Sequence, residues 1–221
     1  MPARKSKTGR TQQERSAAMR GRLLDATVDC LVRYGYAGTT TTRVTELAGV
    51  TRGAQVHHFP TRADLVAAAV RHLATKRAEL AFEKIDAVRR APDPLDAALD
   101  LMWEVHQGPI LYATIEMWVA ARTDLELREQ LTAVEPQARG ALLEFATEAF
   151  GEYADNARFR HVMYTALDTV RGILLLGLSN PDTAELDARW KRAKADLRVL
   201  IDAVLVETVP AQPPERISGA R

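Results

Sequence analysis

The sequence predicts an all-α protein, and three observations carry that expectation. Apolar residues recur at intervals of three and four through most of the 221 residues. Glycines and prolines fall between these stretches, where helices stop. No run alternates apolar and polar residues as a half-buried strand does.

Taken in order, residues 1–14 lack apolar periodicity and read as a flexible basic arm. From Arg15 to Tyr34, Met19, Leu23, Leu24, Thr27, Val28 and Leu31 mark one helical face, and Gly35 caps it. The stretch TTRVTELAGVTRGAQVHHFP, residues 41–60, reads as two short helices joined at Gly49. Val44, Leu47 and Ala48 give the first an apolar face, and Thr51 caps the second. Pro60 and the capping-box pair Thr61 and Asp64 open a long helix to about Ala91. Helices follow at about 95–107, 110–123, 125–150 with a bend near Pro136, 156–178 and, after a turn at Ser179, Asn180 and Pro181, 182–207. The tail 209–221, with Pro210, Pro213 and Pro214, reads as disordered. The expected organisation is a domain over 15–72, with its motif at 41–60, and a second helical domain over 73–208.

Composition narrows the function classes. Apolar residues make up 47% and charged residues 27%, as in ordinary globular proteins, and no apolar run nears the roughly 20 residues that cross a bilayer. A cytoplasmic protein without a membrane partner is expected. The lone Cys30 cannot close an internal disulfide and reads as a small core hydrophobe. Net charge is +1, yet residues 1–72 hold 12 Lys+Arg against 5 acids, 12 − 5 = +7, which leaves +1 − 7 = −6 for the rest. A basic third that coincides with a two-helix motif is the footprint of a chain that offers one end to phosphate.

The segment 20–73 resembles the DNA-binding domain of the TetR family of bacterial transcriptional regulators. Leu24, Ala26, Gly35, Tyr36, Thr39, Thr40, Val44, Leu47, Ala48, Gly49, Val50, Gly53, His58, Phe59, Pro60, Asp64 and Leu65 carry the likeness. It implies a three-helix helix-turn-helix domain joined by a long helix to a C-terminal ligand-binding and dimerisation domain. It also implies a repressor, dimeric on a palindromic double-stranded operator and released by a small-molecule effector, with no cofactor and no enzymatic activity. The chain departs from the family at Val56, where tyrosine is usual.

Thr42, Thr51 and Thr61 are then expected at helix starts facing phosphate, with Arg43 and Arg62 as backbone contacts. Arg52, Gln55 and His57 are expected to face base edges, and Val56 either to touch a thymine methyl or simply to pack. Trp103, His106, Tyr112, Glu116, Tyr164, Asp168 and Arg171 are polar or aromatic groups within apolar helices and are candidates for the ligand pocket, with internal ion pairs as the other reading. Phe159, Val162, Val170 and Leu174, with the seam Leu186, Trp190, Leu197, Leu200 and Val204, are candidates for the dimer interface. A metal-dependent enzyme built on His57, His58, His72, His106 or His161 lacks any ligand spacing in its favour. A helical ligand-binding module without DNA binding is the other alternative.

Overall fold

The structure is a computed structural model and describes residues 11–179 and 182–208. The arm up to residue 10, the turn residues 180–181 and the tail from 209 lie outside the described residues. Every regular element among the described residues is helical. The helices are α1 Gln12–Gly38, α2 Thr41–Ala48, α3 Arg52–His58, α4 Arg62–Glu83, α5 Ile85–Arg89, α6 Pro94–His106, α7 Pro109–Ala121, α8 Leu125–Thr132, α9 Glu135–Phe150, α10 Ala157–Leu176 and α11 Thr183–Thr208, with a 3-10 turn over Gly151–Asp155.

Helix α1 begins earlier than the periodicity suggests. Thr11 accepts from Glu14 N–H and Glu14 answers to the Thr11 N–H, a capping box that takes residues 12–14 out of the expected arm. The long helix after Thr61 stops at Glu83, and the chain resumes as α5. Phe82, Ile85 and Val88 keep a spacing of three across the break, so the apolar period does not register it. Pro136 sits in the first turn of α9, where a missing N–H costs nothing.

The chain forms two compact units, Met1–Leu80 with His106–Ala141, and Ala81–Val105 with Leu142–Arg221. The first is held by one core. Leu23, Leu24, Cys30 and Leu31 of α1 meet Val44 and Ala48 of α2, Phe59, and Leu65, Val66 and Ala69 of α4. Ala113, Met117 and Ala121 of α7 and Leu127 of α8 complete it, so two helices from the middle of the chain are built into the N-terminal unit. In the second unit, Ile85, Val88, Ala98, Leu101 and Phe145 form a cluster and α10 packs along α11.

Candidate nucleic-acid interface

The turn between α2 and α3 rests on Gly49, at φ 63 and ψ 42, a left-handed conformation that glycine adopts without a Cβ clash. Its N–H bonds the Glu46 carbonyl at 3.2 Å, and the Val50 N–H bonds that of Thr45 at 3.1 Å. Thr51 caps α3 by accepting from Ala54 N–H. Thr40, rather than Thr42, caps α2, which leaves Thr42 exposed within the helix. Thr61 and Asp64 exchange hydrogen bonds of 3.1 and 3.0 Å at the start of α4, as the capping box requires.

Two expected contacts turn inward. Gln55 is 1% exposed, and its amide donates to the Phe59 carbonyl at 2.5 Å, closing the end of α3. It is a core residue, because that carbonyl has no partner inside the helix and the side chain supplies one. Arg62 is also occupied. Its Nε donates to the Thr39 carbonyl at 2.7 Å, its Nη2 to the Tyr36 carbonyl, and the guanidinium lies 4.0 Å from the centre of the Tyr36 ring. It fastens α4 to the end of α1 instead of facing solvent. Leu47 corrects the other way: it is 45% exposed, so Val44, Thr45 and Ala48 are the buried residues of α2.

What α3 presents is Thr51, Arg52, Val56 and His57, all exposed. Arg52 Nη1 donates to Thr41 Oγ1 at 3.1 Å, and exposed Arg43 lies over the Tyr34 ring with Nη1 on the Gly38 carbonyl at 2.5 Å. His57 meets His58 edge to face at 5.3 Å. Burial, then the charges of His57 and Arg20, hold the His58 pKa below its ordinary value. Phe59 is buried beneath the Arg20 guanidinium, 5.3 Å from the ring centre, so the end of α3 is anchored to α1.

Behind this surface lies a polar clamp that sequence reasoning missed. At Gly35 the backbone takes φ 65 and ψ −178, a region closed to side chains, and a Cβ there would stand 2.8 Å from Glu116 Oε2. Glu116 uses that space to accept the Tyr36 N–H at 3.0 Å. It was expected in a pocket, and it instead ties α7 to α1. The Tyr36 hydroxyl donates to Asp124 Oδ2 at 2.7 Å, and Asp124 also caps α8 through Leu127 N–H. Burial, then the hydrogen bond to Asp124, pushes the Tyr36 pKa up to about 12. The Leu127 N–H and then the Tyr36 hydroxyl hold Asp124 below the usual carboxylate range. These partners stand 80 and 88 residues apart, beyond any local signal.

Residues 23–69 match the family model for bacterial regulatory proteins of the tetR family. Over those residues the N-terminal domain carries the TetR-family DNA-binding fold. The HTH-type transcriptional regulator Rv2912c of Mycobacterium tuberculosis is 34% identical over 125 residues, covering 57% of this chain and 64% of that protein. The match therefore spans less than two thirds of that relative's length. The TetR-family protein SCO1917 of Streptomyces coelicolor A3 superposes with a TM-score of 0.62 at 21% identity, over 83% of this chain and 98% of the other. The multidrug binding protein EbrR in complex with ethidium gives 0.60 at 21%, over 83% and 98%. At such identities the two structures establish the TetR fold and nothing finer.

The other expected sites divide between the two units of the chain. His106, Tyr112 and Glu116 fall in the first; Trp103, Tyr164, Asp168 and Arg171 fall in the second. Tyr112 is exposed and His106 buried. Trp103 stacks on Trp190 at 5.3 Å and donates to Asp187 Oδ1 at 3.3 Å, while Asp168 and Arg171 form an ion pair of 3.7 Å. In the second unit a cleft of about 360 Å³ is lined chiefly by Leu95, Phe150, Tyr153, Phe159 and Leu205, with the Asp93–Arg198 ion pair beside them. None of the expected ligand residues lines it. Of the expected dimer residues, Phe159, Val170, Leu174, Trp190, Leu197 and Val204 are buried within the single chain, so the heptad-like seam is spent on its own core. Val162 and Leu186 are half-buried and Leu200 is exposed. No helix among the described residues is long and apolar enough to cross a membrane, and no three metal-ligating side chains gather there.

Proposed function

We propose that this chain is a cytoplasmic transcriptional regulator that binds a palindromic DNA operator as a homodimer, with α3 in the major groove, and that a small molecule releases it. One observation carries the reading: a seven-residue helix, capped at both ends and fixed to a shared core, exposes Thr51, Arg52, Val56 and His57 within the third of the chain that carries +7. Thr42, Arg43 and Thr61, all exposed around it, take the flanking phosphates. Dimerisation is supported by apolar side chains that the fold leaves in solvent on both helices, Leu175 and Leu176 at the end of α10 and Val199 and Leu200 on α11, exposed by 48 to 69%. Two copies place their α3 helices on half-sites about 34–36 Å apart. A small molecule held by the second unit acts by preferring a geometry that does not match that spacing, since a ligand of equal affinity for both states shifts nothing. The apolar cleft of that unit supports an effector, as does the ethidium bound by EbrR, a relative in fold. The action is repression when the operator overlaps a promoter.

The test is a gel-shift titration of the full chain against its own upstream DNA and scrambled duplexes across salt concentrations. Preference for the upstream duplex, with affinity falling linearly on a log–log salt plot, is expected. Equal affinity for all duplexes at every salt refutes the reading and favours a ligand-binding module without an operator.

A further inference from the structure

Building on the operator reading, we infer that Val56 reads the 5-methyl group of a thymine in each half-site. Val56 and Gln55 are adjacent on α3 with their usual places exchanged. The amide, which would pair with adenine, is 1% exposed and committed to the Phe59 carbonyl, while the valine is 45% exposed. Nothing in the fold of α3 calls for valine at that point. A β-branched side chain is a mediocre helix former, and this one adds exposed apolar area without joining the core.

Its surroundings supply the use. Arg52 is four residues earlier, so the two side chains share a face, and exposed His57 follows directly. Along the major groove the base edges offer donors and acceptors at every pair but one apolar group, the thymine methyl. A valine flanked by polar residues on a groove-facing helix is complementary to that group and to no other on the bases. With the Gln55 amide withdrawn, an A·T pair is recognised from its thymine side.

The experiment begins with the duplex that the full-length chain enriches from a random pool, and then replaces each thymine in turn by deoxyuridine, which deletes only the methyl. Wild type is expected to lose affinity about fourfold at one thymine position in a single half-site, and about fifteenfold when both half-sites are altered, the effect of one buried methyl each. Val56→Ala is expected to bind the parent duplex correspondingly more weakly and to be indifferent to the replacement, and Val56→Ile to restore sensitivity. Thermal melting at the wild-type temperature establishes that each variant folds. Wild type indifferent to every replacement, or Val56→Ala as sensitive as wild type, overturns the inference while leaving the operator reading in place. Failure to enrich any duplex overturns both.

Discussion

The α2–α3 motif and the α10–α11 pair are both read from a regular apolar pattern, which the second keeps and the first breaks. In α11 the spacing of Trp190, Leu197 and Val204 is obeyed, and all three are buried within the chain. In α3 the order is inverted, with Gln55 inside and Val56 outside. A pattern that is kept reports a core, whereas one broken without cost to the core reports a surface made for something else. Leu200, a position of the same seam, is exposed instead, and is the α11 residue of the proposed dimer contact.

Substitutions that exchange the two kinds of position break or sharpen this contrast. The largest effect is expected for Leu197→Asp, which places a charge in the core of the second unit and lowers stability by about 4 kcal/mol or more. Leu200→Asp on the same helix is expected to leave melting nearly unchanged and to convert dimer to monomer in sedimentation velocity. Should both variants unfold alike, the inner and outer faces of α11 are not distinct. In the first unit, Gly35→Ala combines a forbidden backbone angle with the approach of Glu116 and is expected to cost about 2 to 3 kcal/mol in denaturant unfolding.

Gln55→Ala should cost about 1 to 3 kcal/mol, because the buried Phe59 carbonyl loses its donor, whereas Val56→Ala should lie within about 0.5 kcal/mol of wild type. Equal costs would mean that the two residues do not differ in role. Tyr36→Phe is expected to cost about 1 kcal/mol, through loss of the bond to Asp124. Its pH dependence has a definite sign. Asp124 titrates below its unfolded value, so its contribution is full above about pH 4 and is lost as pH falls through the folded pKa. Tyr36 titrates above its unfolded value, so its contribution is full below about pH 10 and is lost as pH rises toward 12. Melting curves at both extremes should be flatter in the phenylalanine variant.

Much of the fold is legible in the sequence because its determinants are local. Gly49 ends α2 where expected, Thr51 and Thr61 cap their helices, and Pro136 marks the start of α9, whereas Gly35, expected as a cap, kinks α1, which runs on to Gly38. What could not be read depends on partners far along the chain. Glu116 looks like a pocket acid until Gly35 opens a space for it, and Arg62 looks like a phosphate contact until the Thr39 and Tyr36 carbonyls are brought beneath it. The direction of Gln55 follows from an unpaired carbonyl at the end of a seven-residue helix, a need that composition does not reveal.

The central claim is that the outward face of α3 confers sequence-specific DNA binding. It is tested most directly by fluorescence anisotropy of the selected duplex and a scrambled one, with wild type and the triple variant Arg52→Ala, Val56→Ala, His57→Ala. Wild type should prefer the selected duplex, and the variant, melting as wild type does, should bind both duplexes equally and weakly. A variant that retains the wild-type preference would contradict the account.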